Sequence, residues 1–478
     1  MLIRPAPHTM VNMEFFNKEG IELLPSVPSR YDLHYQKTKL KGGSTSGLLT
    51  TYGQDQMYLL GKRLRKDYID NIQFLDSFDP NLVKLKTTHM KRTKESLRCV
   101  LAGFFGAENL NKNGPVRVES NDTRDEYLVP CPNICPVFRQ INHSAMIHGS
   151  DIAEFNEDRT LLEETLGKKH FSKNRVRFID CRDDLIARKT HGLPFPEHIT
   201  PEIIDMVDKN ATKLLFYAVC GQHEAERLVA TRLSIGRLIQ VFLNNIQDVL
   251  KGDNKAKMQM YSAHDSTVLP AMSVFGLDVT QWPPFAADLI LELYEDNDKN
   301  HYVQVKYLGK PDYKGQRLSL SVGLARLTKA RGCLLTVGLA RLTKARGCLL
   351  SVGLARLIKA RGCLLTVGCQ TNKARASLTV DTRLTKARDC LLSVGLARLT
   401  KARGCLLTPQ IVRGCDKELC PLDKFLEEIS PFAIREDEFQ EVCHSNILEV
   451  IAKEMLEQEV GEIEDEESKE RSDLAPGL

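Results

Sequence analysis

Residues 317–408 repeat themselves. Arg326 to Ala340 reads RLTKARGCLLTVGLA, and Arg341 to Ala355 repeats it with one Thr→Ser change, at Ser351. A third copy starts at Arg356, residues 371–382 form a shortened and degraded one, and two more start at Arg383 and Arg398. A fixed period constrains a chain more than a single motif does, because it decides whether neighbouring units can bury one another. The period here is 15 residues, below the roughly 20–50 of stacking repeats. The copies that start at Arg326, Arg341 and Arg356 carry two glycines each, such as Gly332 and Gly338, and each costs about 1 kcal/mol in a helix interior. No copy contains Glu to partner its basic residues. The repeat is therefore expected to be an unstructured insertion that interrupts a fold. The alternative is a basic tether for anionic lipid or nucleic acid.

The insertion distorts the composition. It holds 18 Lys+Arg against 2 Asp+Glu, so the other 386 residues carry a net charge of −12 although the whole chain carries +4. Six of the 14 cysteines lie inside it. The eight outside make no dense disulfide framework, so they leave the compartment open. Hydrophobic residues at 42% and charged residues at 27% exclude a wholly disordered chain. No apolar run reaches the length of about 18 residues needed for a membrane-spanning helix. Residues 1–13 contain two prolines and no apolar stretch, so no secretory signal is expected there. From residue 454 the chain turns acidic and reads as a solvated tail.

Several elements stand out on either side of the insertion. Residues 48–70 have the period of an amphipathic helix: Thr51 and Gln54 have capping-box spacing, Met57, Leu60, Leu64 and Tyr68 share one face, and Lys62, Arg63, Arg65 and Lys66 take the other. Residues 82–85 form a short β-rich run that leads through Lys86, Thr87, Thr88 and His89 into a helix over 94–105. Residues 106–257 lack a strong strand pattern, and 157–165, 201–219 and 224–250 read as helices. Cys131 and Cys135 are four apart with no second pair, which is weak ground for zinc. Met258 to Ser262 reads as a strand, His264 and Asp265 follow it, and a helix runs over 267–275. Residues 287–295 and 301–308 alternate on either side of turn residues, as a hairpin does. Cys415 and Cys420 are close enough for a local disulfide, ahead of a helix over 424–429.

His264 and Asp265 sit at the end of the strand reading, where ligands bind in open α/β sheets. A bare His-Asp pair reads as well as a helix cap. Its surroundings are more specific. Tyr261-Ser262-Ala263-His264-Asp265-Ser266-Thr267, the stretch from Trp282 to Tyr294, and the stretch from Leu49 to Gln56 together resemble the histidine acid phosphatase family. The resemblance covers most of residues 30–316 and 411–445 and is weaker over 110–250. It implies an α/β fold of the phosphoglycerate-mutase-like kind, a sheet flanked by helices with a mostly helical cap. On that basis residues 1–105 are the first part of the core and 106–257 the cap. Residues 258–316 are the second part of the core, 317–408 the insertion, 409–453 a C-terminal core segment and 454–478 the tail.

The resemblance also implies a chemistry. In the family a histidine attacks the phosphorus of a monoester and forms a phosphohistidine that water hydrolyses, which is covalent catalysis. His264 would bind and stabilise the phosphoryl oxygens, and Asp265 would protonate the leaving oxygen. Lys86 occupies the place of a substrate-binding arginine and keeps its charge without bidentate hydrogen bonding. No metal or organic cofactor is implied. The implied substrate is a small phosphate monoester, concretely lysophosphatidic acid hydrolysed to monoacylglycerol. The implied state is a monomer in the mitochondrion, with no nucleic-acid partner.

The chain departs from the family in one serious respect. The nucleophile belongs to an Arg-His-Gly-x-Arg motif on the first strand, and no Arg-His-Gly occurs anywhere; His8 follows Pro7 instead. The first strand is therefore expected to be missing, and the chain as it stands to be inactive and poorly stable, with an exposed strand edge. A lost first coding segment and an included repeat explain both oddities. The other reading is a degenerate phosphatase domain that binds phosphorylated ligands or anionic lipid without catalysis.

Overall fold

The computed structural model describes residues 4–23, 30–39, 45–112, 114–121, 124–148, 152–167, 176–309 and 412–453. The repeat and the acidic tail lie outside the described residues.

Four parallel strands make the main sheet: β1 (Met13–Phe16), β2 (Val83–Thr87), β3 (Val116–Glu119) and β4 (Met258–Ser262), in the order β1-β3-β2-β4. Val83 and Leu85 of β2, and Val116 and Val118 of β3, are buried, while Lys84 and Arg117 between them are exposed. That alternation of period two is what holds each strand in register. β2 and β4 pair along their whole length, from Val83↔Met258 to Thr87↔Ser262.

The helices in chain order are α1 (Arg30–Gln36), α2 (Thr51–Arg65), α3 (Lys91–Phe105), α4 (Ala107–Asn111), α5 (Pro136–His143), α6 (Asn156–Leu166), α7 (Phe178–His191), α8 (Pro201–Cys220), α9 (Glu224–Lys251), α10 (Asp265–Val274), α11 (Leu422–Ile429) and α12 (Glu436–Cys443). α2 and α3 cover the sheet, with Leu64, Leu97, Leu101 and Phe104 in one core with Leu85 and Val118. They cross closely because Gly61 and Gly103 meet there: a Cβ on Gly61 would lie 2.2 Å from the Val100 carbonyl oxygen. Parts of α6, α7 and α8 share a second core around Phe178, Val207 and Leu215 that reaches Leu269 and Trp282. A third joins α5, α9 and α12 through Phe138, Leu233 and Phe439.

A second sheet holds the hairpin β5 (Leu289–Glu295) and β6 (His301–Tyr307), with β7 (Cys420–Pro421) antiparallel to β6. The Val303↔Cys420 register brings the chain after the insertion back beside the strand before it. Cys135 and Cys443 form a disulfide across 308 residues of sequence, and Cys415 and Cys420 form a second.

Two findings differ from the sequence expectation. Val116–Glu119, expected inside the helical cap, is a core strand; four residues are too few to stand out as a pattern. And Cys135, weighed with Cys131 for zinc, is taken by Cys443, a pairing that no local spacing shows. Among the described residues, no group of three or more His, Cys, Asp or Glu could hold a metal ion.

Candidate active site

Because β2 and β4 are parallel neighbours, the turns that leave their C-terminal ends lie side by side. The β2 turn carries Thr88, His89 and Met90 into α3. The β4 turn carries Ala263 and His264 into α10, with Asp265 as the first helical residue. Thr88 ties the two together. Its Oγ1 lies 3.1 Å from His264 Nε2 and 2.7 Å from Thr93 Oγ1, and its backbone N–H donates to Ser262 O at 3.3 Å. Ser262 Oγ in turn donates to Thr93 O at 2.8 Å.

His264 is half-buried, and its pKa is pushed from the ordinary 6.5 down to about 3 by burial, then by the charges of Arg92 and His89. A neutral imidazole here accepts or donates one hydrogen bond at Nε2 without adding charge. Asp265 Oδ2 accepts from Trp282 Nε1 at 2.8 Å, and its Oδ1 accepts from the Ser266 N–H at 2.8 Å. Arg182 of α7 stacks on the other side of this support, 4.2 Å from the Trp282 ring.

Lys86, the third residue expected at the site, is buried and points to β3. Its Nζ donates to Glu119 Oε1 at 2.7 Å and sits 3.7 Å from the Tyr127 ring centroid. Burial lowers its pKa, and Glu119 opposes that shift. Its register partner on β4 is Tyr261, three residues before His264. His8 lies in a short turn, with Nε2 3.3 Å from Asp55 Oδ1 and its ring against Tyr58 of α2.

The structure adds residues the sequence reading left unassigned. Thr88, His89 and Arg92 follow the β2 end, and the rule that ligands bind beyond the carboxyl ends of parallel strands would have found them. Glu126 had no local signal. It is fully buried, with Oε1 accepting from the Leu128 N–H at 2.7 Å and Oε2 lying 3.9 Å from His89 Nδ1. The N-termini of α3 and α10 present backbone N–H groups and a favourable dipole to the same edge. Arg92, His264 and the two helix starts gather at this one sheet edge, with Asp265 as the first residue of α10.

The family model of the histidine phosphatase superfamily (branch 2) matches residues 10–308. Lysophosphatidic acid phosphatase type 6 of Homo sapiens is 31% identical over 315 residues, which cover 65% of this chain and 71% of that protein. Counting factor 60 of Dictyostelium discoideum is 26% identical over 326 residues, 64% of this chain and 76% of that one. The phytase of Klebsiella sp. ASR1 superimposes with a TM-score of 0.44 at 12% identity, covering 64% of this chain and 81% of its own. With its parallel sheet flanked by helices, this chain belongs to the histidine phosphatase superfamily, branch 2.

Proposed function

We propose that this edge binds the phosphoryl group of a phosphate monoester and that the parent activity is hydrolysis of lysophosphatidic acid to monoacylglycerol. The observation that carries the reading is the Thr88–His264 contact, which joins two βα turns beneath two helix N-termini with Asp265 at the rim. His264 and Arg92 hold the oxygens, and Asp265 gives its proton to the departing alkoxide. The lysophospholipid substrate and a mitochondrial site of action rest on the similarity to lysophosphatidic acid phosphatase type 6. The monomeric state is part of the same proposal.

The sequence offers no Arg-His-Gly motif to supply the attacking histidine. We therefore expect saturable phosphate binding with almost no turnover. Release of inorganic phosphate from lysophosphatidic acid by the full chain tests this against a His264→Ala control. Release clearly above the control overturns the inactivity; phosphate binding unchanged in His264→Ala overturns the site. The absent motif also favours a second reading, a non-catalytic binder of anionic lipid. That reading requires vesicle binding that vanishes when residues 317–408 are deleted.

A further inference from the structure

Arg237 lies on α9, outside the turns that form the site. Its guanidinium is nevertheless nearly buried, its side chain 12% exposed. One nitrogen, Nη2, donates to the Glu126 backbone oxygen at 2.7 Å. The other, Nη1, donates to Glu436 Oε2 at 3.3 Å, and Cζ stacks 4.3 Å from the Phe439 ring centroid. Both of those partners belong to α12, the helix that ends at Cys443 and is cross-linked to Cys135. Arg237 is thus gripped on one side by the C-terminal helix and grips the Glu126 loop on the other.

From Glu126 the contacts run to both histidines of the site. The Glu126 carboxylate faces His89 Nδ1 with Oε2 and takes the Leu128 N–H with Oε1. Leu128 O accepts from Thr267 Oγ1 at 2.5 Å, and Thr267 Oγ1 accepts the His264 N–H at 3.3 Å. No hydrogen bond reaches Glu126 Oε2 among the described residues. A buried carboxylate oxygen without such a bond is costly, and the His89 ring is the group that faces it.

We propose that Arg237 is a positioning residue for the phosphate site. Held by α12, it fixes the Glu126–Leu128 loop, and through that loop it sets the ring of His89 and the backbone of His264. The segment that follows the insertion would then complete a site that lies almost wholly before it. This rests on the phosphate-binding reading above.

The test is binding of inorganic phosphate to the full chain by calorimetry, with the imidazole nitrogens of His89 and His264 followed by nitrogen-15 NMR. Arg237→Lys keeps the charge but loses the planar fork that serves Glu126 and Glu436 together. It is expected to weaken phosphate binding about ten-fold, or about 1.4 kcal/mol, and to shift the His89 nitrogen signals, with the far-ultraviolet spectrum unchanged. Glu126→Gln, which keeps an acceptor for Leu128, is expected to give the same two changes and serves where Arg237→Lys does not fold. In a His264→Ala background neither substitution should weaken the remaining binding further. Unchanged affinity and unchanged His89 signals in the folded variants overturn the proposal. So does an equal loss in the His264→Ala background. A parent chain that binds phosphate no better than His264→Ala removes the phosphate-site reading itself, which is a different outcome from the failure of Arg237.

Discussion

Lys86 Nζ lies 2.7 Å from Glu119 Oε1, and the two residues are register partners on adjacent parallel strands. The ammonium is almost fully buried, whereas the Glu119 side chain is 42% exposed. Water therefore screens one end of the pair and not the other.

Glu119→Gln would leave a buried ammonium without its carboxylate. The expected loss of stability at neutral pH is about 1–2 kcal/mol, below that of a fully buried pair because Glu119 is partly solvated. Burial already holds the Lys86 pKa below its ordinary 10.5. The folded chain therefore binds fewer protons than the unfolded chain as pH approaches 10.5 from below, and stability from this group rises with pH through that window. Urea midpoints at pH 7 and pH 9.5 check this: the penalty of Glu119→Gln should shrink at the higher pH. A constant penalty would mean that the ammonium is not destabilised by its site.

His264 gives the same sign in an acid window. Its unfolded pKa is 6.5 and its folded value about 3. Between these the unfolded chain binds a proton that the folded chain resists, so the contribution of His264 to stability falls as pH drops from about 6.5 toward 3. His264→Asn removes that dependence. The parent chain should lose more stability than His264→Asn between pH 7 and pH 5; parallel losses would show that the imidazole is not held neutral.

The helix crossing is tested by adding one methyl group. In Gly61→Ala the new Cβ would meet the Val100 carbonyl, and in Gly103→Ala it would meet the Tyr58 carbonyl at the same 2.2 Å. Backbone cannot yield as a side-chain tip can, so each substitution should cost about 1–3 kcal/mol. Because both act by forcing α2 from α3, the double variant should cost less than the two together. Full additivity in guanidinium titrations would place the two clashes in independent structure.

These tests also separate what the sequence could and could not reveal. Met258 to Ser262, the His264–Asp265 turn and the hairpin were readable because each follows from local alternation ended by turn residues. The helix expected over 48–70 is α2 with a wider turn, Lys66–Asn71, continuing it. α7 escaped notice because its charged residues obscure its apolar face: Arg182 is buried on Trp282 and Asp208, not exposed as a charge usually is. Glu126, Arg237 and the Cys135–Cys443 bond join residues tens to hundreds of positions apart, and no window along the chain contains both ends.

The insertion provides the last test. β6 and β7 run antiparallel, with Val303 opposite Cys420, so the chain leaves and re-enters the fold at one end of the same small sheet. Arg413 N–H also donates to Phe275 O at 3.0 Å, and α12 is bound covalently to Cys135, the residue before α5. Closing a flexible loop costs free energy only as the logarithm of its length. Removing residues 317–408 shortens the connection between β6 and β7 from 112 residues to 20; with the repeat unstructured, as the sequence leads one to expect, this favours the folded state by about 1–2 kcal/mol. The deleted chain should therefore unfold at an equal or slightly higher urea concentration, with the Cys135–Cys443 bond intact by mass spectrometry. A clearly lower midpoint would mean that the repeat contributes contacts to the phosphatase fold, and its length would then be part of the structure instead of a passenger in one of its loops.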